Sequence, residues 1–189
     1  MLPIALDLSG RDVLVIGAGK IGIRKAEQLL DEGAVVTVVA PEVLTEVPDG
    51  IELVERTVRE EDLDGRFLVV CATGVDAVDA EVRSWATAKG ILLNVADVPE
   101  RCDFFFMAQH RQGPVVVAVS TEGNAPALAS WVRDSIRSSL PSNLGEVAAV
   151  LAAERAEIQA QDGSTEGRDW AARIEALIDQ GVDEPPRST

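Results

Sequence analysis

Residues 12–33 read DVLVIGAGKIGIRKAEQLLDEG, and this stretch decides the fold. The apolar run at 12–16 leads into a glycine-rich turn, as buried parallel strands often do. The segment 20–32 has apolar residues near helical spacing, and Gly33 ends the helix as its C′ residue. The stretch therefore predicts a strand, a tight turn and a helix, which together open a βαβ unit.

Strands and helices continue to alternate along the chain up to residue 120. Residues 76–89 read as a helix that starts at Asp76, and Pro41 is expected to stop the second strand. This alternation predicts an α/β fold with a doubly wound parallel sheet. The other predicted strands are 35–40, 51–55, 66–72, 90–96 and 115–120.

The pattern becomes helical after Ser120. Amphipathic helices are predicted over 124–140, 143–161 and 166–180, with a turn at 162–165. The sequence therefore predicts an α/β part followed by a small helical region.

The segment AQHRQGP, which contains the only histidine, His110, reads as an exposed turn with no catalytic role.

Composition limits the classes of partner. A net charge of −15 on 189 residues disfavours binding to nucleic acid or to an anionic membrane. The N-terminal residues lack the basic start of a secretion signal, and no apolar run is long enough to span a bilayer. Cys71 and Cys102 form no CxxC motif, so we expect two reduced thiols, no metal site and a cytoplasmic location.

The motif GAGKIG at 17–22 is the strongest local signal of function. Gly17 permits the tight turn, Gly19 lets a pyrophosphate approach the backbone, and Gly22 allows close packing of helix and strand. The motif lies between a predicted strand and a predicted helix, as dinucleotide binding requires. The alternative is a tight turn without a ligand, and the context favours nucleotide binding.

The end of the second strand bears on the choice of nucleotide. NAD-binding folds usually place an acidic residue there to bind the ribose hydroxyls. Here the acid arrives late, as Glu42 behind Pro41. No arginine follows to hold a 2′-phosphate, so the sequence favours NAD over NADP.

Two loops after predicted strands carry further candidate site residues. Asp97, in NVADVP (94–99), would accept or return a proton at the carboxyl edge of the sheet, or else cap a turn before Pro99. STEGNAP (120–126) offers backbone N–H groups and hydroxyls that would hold ligand carboxylates. Helix capping by Asn124, with Pro126 in the first turn, is the other interpretation, and both can hold together.

Several segments resemble the precorrin-2 dehydrogenase family, which includes the N-terminal module of sirohaem synthases. The likeness runs in order from residue 4 to about 145 and includes the opening βαβ segment and the NVADVP loop. The chain differs from the common family pattern at Glu122, where relatives usually carry glycine. The other matching segments are FLVVCATGVDAVDAEV, CDFFF and GPVVVAVSTEGNAPALASWVRDSIRSSLP.

The resemblance implies NAD-dependent oxidation of precorrin-2 to sirohydrochlorin in sirohaem biosynthesis, and in some members subsequent insertion of ferrous iron. It also implies a homodimer, with a Rossmann-like NAD-binding domain at 1–113, a dimerisation segment at 114–143 and a C-terminal helical region at 144–189. Asp97 matches the family's key carboxylate. By motif, the implied NAD contacts are Lys20, Ile21, Pro41 and Glu42, beside Gly17, Gly19 and Gly22. The proposed substrate-binding residues are Ser120, Thr121, Gly123 and Asn124.

Basic side chains are candidates to hold a tetrapyrrole substrate rich in carboxylates. For each arginine alone, a surface ion pair is the favoured alternative. Two other functions stay open: a nucleotide-sensing regulatory module, and a tetrapyrrole-binding protein without turnover. The candidate basic residues are Lys20, Arg24, Arg101, Arg111, Arg133 and Arg137.

Overall fold

The computed structural model describes residues 1–161, 164 and 166–180. The chain divides into two compact units, with the boundary between Phe106 and Met107. The sequence places the end of the first domain at residue 113 instead. The difference arises because residues 108–112 form a strand that pairs within the second unit, which composition alone does not reveal.

The first unit is a five-stranded parallel sheet with helices on both faces, which confirms the predicted α/β class. The strand order is β3-β2-β1-β4-β5, so the sheet grows outward in both directions from β1. Short 3₁₀ turns lie at Glu60–Leu63 and Pro99–Arg101. The main elements are β1 (Asp12–Ala18), α1 (Lys20–Asp31), β2 (Val35–Val43), β3 (Glu52–Glu55), β4 (Leu68–Cys71), α2 (Asp76–Lys89) and β5 (Leu92–Val95).

Alternating side chains of β1 explain the double winding. Val13 and Val15 point to the face covered by α1, where Ala26 and Leu29 are fully or almost fully buried. Leu14 and Ile16 point to the opposite face, with Val82 and Ala86 of α2 in the same core cluster. A strand that is apolar on both faces needs a covering layer on each side, and the two helices supply them.

Strand β2 is longer than predicted, because Pro41 does not end it. The strand continues to Val43, which is in register with Ala18, and the pairing of β1 with β2 is irregular between Ile16 and Ala18. A proline donates no backbone N–H and is tolerated in a strand at such an irregularity. The strand extension therefore brings Pro41 and Glu42 alongside the end of β1.

The second unit consists of a β-hairpin and three helices. The prediction that 115–120 is a sixth strand of the parallel sheet is wrong, because this segment pairs antiparallel with residues 108–112. His110, predicted in an exposed turn, is half-buried in that hairpin opposite Val117. The elements are β6 (Ala108–Gln112), β7 (Val115–Val119), α3 (Pro126–Ser139), α4 (Leu144–Ala160) and α5 (Trp170–Gln180).

Most helix bounds agree with the sequence pattern. Helix α2 has the predicted ends, and α1 is followed by Gly33 in a left-handed conformation at φ 80°. Most of the predicted turn at 162–165 lies outside the described residues. None of the helices in the described part of the chain is long and apolar enough to cross a bilayer.

Candidate active site

The glycine loop between β1 and α1 is tightly packed, and two of its glycines are required by that packing. Gly17 has φ 104°, and a Cβ there would lie 2.5 Å from the carbonyl oxygen of Ala72. A Cβ on Gly22 would collide with the carbonyl oxygen of Gly17. The loop therefore rests directly on the backbone that follows β4, with no room for side chains at these two positions.

Gly19 is different, because the space around it is open. It is the N-cap residue of α1, with an ordinary φ of −83°, and no side chain caps this helix end. A Cβ on Gly19 would meet no atom within 4 Å, and the first turn of α1 carries no acidic residue. The free N–H groups of a helix start attract an anion. The donor set therefore fits the pyrophosphate of a dinucleotide.

The other predicted cofactor residues surround this helix start. Lys20 and Ile21 are exposed in the first turn of α1. Pro41 and Glu42 are exposed on the extension of β2, where the backbone N–H of Leu44 donates to the carbonyl of Ala18. The structure therefore brings the predicted cofactor residues to one edge of the sheet.

A buried carboxylate anchors the loop on which the glycine turn rests. Asp79, which is 4% exposed, accepts hydrogen bonds from the Thr73 hydroxyl at 2.6 Å and from the Cys71 thiol at 3.2 Å. The Thr73 hydroxyl in turn accepts the backbone N–H of Val75. Burial raises the pKa of the Cys71 thiol, and the hydrogen bond to Asp79 adds to this effect. Cys71 is therefore a structural thiol that helps to fix the loop after β4.

Asp97 lies in a turn directly after β5 and has φ 62°. The backbone N–H of Val98 closes this turn on the carbonyl of Val95 at 3.3 Å. The Asp97 side chain is exposed and makes no hydrogen bond within the described residues, so the turn-capping alternative finds no support there. Aspartate adopts the left-handed region more readily than most residues. The strained turn thus presents a carboxylate to solvent at the carboxyl edge of the sheet.

The Cys102 thiol holds the Asp97 turn in place. Its sulfur accepts the N–H of Val95 at 3.2 Å and lies within hydrogen-bond distance of the carbonyls of Val95 and Val98. Asn94, which is 7% exposed, donates to the carbonyl of Phe104 at 2.8 Å. These contacts tie β5 to the segment that ends the first unit, so Cys102 and Asn94 are structural supports of the site.

Sequence reasoning missed Lys25. This half-buried side chain of α1 places its Nζ 3.6 Å from the centre of the Phe106 ring and donates to Gln28 Oε1 at 3.3 Å. Its pKa is lowered to about 8, first because the ammonium is desolvated and then because Arg24 is close, while the Asp97 carboxylate opposes the shift. No sequence spacing signals this environment, because Phe106 is distant along the chain.

In the second unit, the predicted substrate-binding residues form the loop between β7 and α3. The Ser120 hydroxyl accepts the N–H of Glu122 at 3.1 Å, and the Thr121 hydroxyl accepts the N–H of Ala125 at 3.2 Å. Asn124 does not cap the helix, as one interpretation expected, because its amide donates to two carbonyls of the loop and Ala125 is the N-cap residue. Pro126 does open the first turn. Whether this loop binds substrate stays a prediction.

Two of the candidate arginines form ion pairs. Arg101 lies 2.8 Å from Asp76 and Arg133 lies 2.9 Å from Asp134, so the surface-pair interpretation holds for both. Among the residues that the structure describes, no three histidine, cysteine or acidic side chains are grouped as metal ligands.

Comparison with known proteins agrees with this geometry. Residues 4–108, more than half of the chain, match the family model described as putative NAD(P)-binding, and residues 112–139 match that of the sirohaem biosynthesis protein central domain. A solved structure titled SirC, precorrin-2 dehydrogenase, is 30% identical with a TM-score of 0.72, over 97% of this chain and 90% of that one. This chain belongs to the precorrin-2 dehydrogenase family.

Curated relatives include siroheme synthases of Pseudomonas fluorescens (strain SBW25) and of Photorhabdus laumondii subsp. laumondii. Each is 38% identical over 163 residues, which cover 84% of this chain but 35% of the relative. The chain thus spans about a third of the length of these relatives. The match over residues 4–108 to a putative NAD(P)-binding family places NAD(P) binding in the first unit.

The backbone at Glu122, where the family resemblance leads us to expect glycine, lies in the left-handed region, with φ 54°. Gly123, with φ 79°, follows in the same left-handed region. Glycine occupies this region without strain, whereas glutamate does not. The loop therefore has a conformation at residue 122 that favours glycine over glutamate.

Proposed function

We propose that this chain catalyses the NAD-dependent oxidation of precorrin-2 to sirohydrochlorin in sirohaem biosynthesis, in the cytoplasm. The observation that carries the proposal is the carboxyl edge of the first unit's sheet, where the open glycine loop and the exposed carboxylate of Asp97 lie. The chain is also similar to SirC over nearly its whole length. Glu42 without a following arginine supports NAD rather than NADP.

The cofactor supplies the hydride acceptor, and the protein supplies position and proton handling. The start of α1 would hold the pyrophosphate through backbone N–H groups, and Lys20 would add positive charge there. Glu42, exposed beside the end of β1, would accept hydrogen bonds from ribose hydroxyls. These contacts would place the nucleotide at the carboxyl edge of the sheet.

Asp97 is the proposed catalytic residue. Oxidation of precorrin-2 removes two electrons and a proton as a hydride, and a second proton leaves the tetrapyrrole to a base. The Asp97 carboxylate is exposed and has no hydrogen-bond donor of its own within the described residues, so it is available to accept that proton.

Ser120, Thr121, Gly123 and Asn124 are the proposed substrate-binding residues of the second unit. Each of the two hydroxyls accepts a backbone N–H, and neither donates to a described residue. Both O–H groups are therefore available to a substrate carboxylate.

We further propose that the chain works as a homodimer through α3 and β7. Trp131 and Leu128 of α3 are 68% and 54% exposed, and Val116 of β7 is 41% exposed. A second copy of the chain would cover these apolar side chains. Light scattering should give a dimer mass, and Trp131→Glu should shift it to that of a monomer; a monomer mass for the unmodified chain would refute this point.

The test of function uses the full chain with precorrin-2 and NAD under anaerobic conditions, followed by absorption spectra. The proposal predicts conversion to the spectrum of sirohydrochlorin only when both protein and NAD are present. A parallel reaction with ferrous iron shows whether the chain also inserts the metal. Tight NAD binding without conversion would instead support a nucleotide-sensing module, and a bound but unchanged tetrapyrrole would indicate a binding protein.

A further inference from the structure

Lys25 is a partly buried cation on α1. Its ammonium has one neutral hydrogen-bond partner, Gln28, and lies against the ring of Phe106. In the described part of the chain it forms no salt bridge, whereas Lys89, on α2, pairs with Asp64 at 2.6 Å. Burying a charge is costly unless an anion compensates for it. The arrangement is therefore incomplete without an anionic partner.

The position of Lys25 directs this unpaired charge toward the candidate active site. Lys25 lies in the second turn of α1, one turn beyond the glycine loop. Side chains of a helix lean toward its N-terminus, which here is the edge of the sheet where the glycine loop and the Asp97 turn lie. The Asp97 carboxylate acts electrostatically to raise the pKa of the Lys25 ammonium.

Phe106 gives the site a second feature. Its ring contacts the ammonium on one side and packs with the Phe104 ring, with the two ring centres 5.7 Å apart. Both rings are half-buried against the core of the first unit. An aromatic surface beside a cation suits a conjugated molecule that carries carboxylates. Glu27 and Arg24, the neighbouring charged residues of α1, are exposed on the helix surface.

We infer that Lys25 is a substrate-binding residue of the tetrapyrrole site, where its ammonium pairs with a carboxylate of precorrin-2 beside the ring of Phe106. This inference rests on the proposed function for the identity of the substrate. It assigns Lys25 to substrate affinity, separate from NAD binding by the glycine loop and from proton transfer by Asp97.

The test compares Lys25→Met, which keeps the length and packing of the side chain, with Lys25→Arg, which keeps the charge. The matched control is Lys89→Met, which removes the same charge from a lysine of α2 outside the site. Lys25→Met should raise the KM for precorrin-2 about 10- to 100-fold, the effect of a lost hydrogen bond to a charged group. The kcat and the Kd for NAD should change little, and Lys25→Arg should retain most of the affinity.

The pH dependence gives a second readout. The groups that act on the ammonium are Arg24 and Asp97, and its pKa is lowered to about 8. The charged form predominates below that pH, so substrate affinity should fall as pH rises through about 8. Lys25→Arg should shift this fall to higher pH, because arginine stays protonated.

Equilibrium titration with sirohydrochlorin, the proposed product, separates failure of this inference from failure of the proposed function. If the unmodified chain binds sirohydrochlorin but does not oxidise precorrin-2, the proposed function is wrong, and the titration of Lys25→Met with sirohydrochlorin still decides the role of Lys25. Unchanged affinity in a folded Lys25→Met variant, or an equal loss in Lys89→Met, would overturn the inference.

Discussion

Replacement of Asp97 by asparagine is the most informative single change in the candidate site. Asp97 has φ 62°, and asparagine tolerates this left-handed conformation as well as aspartate does. The substitution removes the charge and the basic oxygen while it preserves the shape and the turn. Because the side chain is exposed, the free energy of unfolding should change by less than about 0.5 kcal/mol.

Alanine at the same position provides the contrasting variant. It keeps the β-carbon but lacks the short polar side chain with which aspartate and asparagine tolerate the left-handed region, and this costs about 1 kcal/mol. For a chain of this size, that corresponds to a fall in Tm of about 2–4 °C. Asp97→Gly removes the carboxylate without the strain, so the three variants together separate chemistry from backbone conformation.

The assay measures kcat with precorrin-2, the Kd for NAD and the Tm for each variant. If Asp97 accepts the proton, all three variants should lose about 10²- to 10⁴-fold in kcat, whereas only Asp97→Ala should lose appreciable stability. The pKa of Lys25 should also fall below about 8 in Asp97→Asn, because the Asp97 carboxylate acts to raise it. An Asp97→Asn variant that keeps most of its kcat would refute the catalytic assignment.

Three further predictions test the supports of the site. Gly17→Ala should destabilise the fold by about 2 kcal/mol or more, because residue 17 has φ 104° and its Cβ would lie 2.5 Å from the Ala72 carbonyl oxygen. Gly19→Ala should fold normally but raise the Kd for NAD at least about tenfold, because its Cβ would occupy the open space in front of the helix. Thermal melts and NAD titrations measure these effects, and equal Tm and equal Kd for NAD in Gly17→Ala and Gly19→Ala would contradict the prediction. Asp79→Ala should lower the free energy of unfolding in urea by about 2–3 kcal/mol, because Thr73 and Cys71 lose their buried hydrogen-bond acceptor, and Asp79→Asn should lower it less. If both variants were as stable as the unmodified chain, Asp79 would not anchor the loop after β4. The Cys71 thiol, whose pKa is raised by burial, should react with a thiol reagent at neutral pH only after unfolding, and rapid labelling of the native chain would show otherwise.

The sequence predicted the first unit well because its signals are local. Strand β1, the glycine loop and α1 lie within about two dozen consecutive residues, so their pattern can be read from one short segment. The bounds of α2 likewise agree with the pattern of its own residues. The extension of β2 through Pro41 was missed, since the irregular pairing with β1 that tolerates the proline is a contact between distant segments.

The hairpin of the second unit was missed for a related reason. Strand β6 reads AQHRQ, which lacks the apolar alternation of a strand, and it forms because β7 pairs with it. Lys25 was missed because its significance depends on Phe106 and Asp97, which the fold brings near it. Motifs identified the loops of the candidate site, but the fold is needed to show that Lys25 lies against Phe106 and forms no salt bridge with a described residue.

The ratio of NADH to sirohydrochlorin in an anaerobic reaction of the full chain with precorrin-2 and NAD tests the central claim most directly. The account predicts one NADH for each sirohydrochlorin formed, with formation of both greatly slowed in Asp97→Asn. Sirohydrochlorin that appears without NADH, or no NADH above the protein-free background while the chain binds NAD, would contradict it.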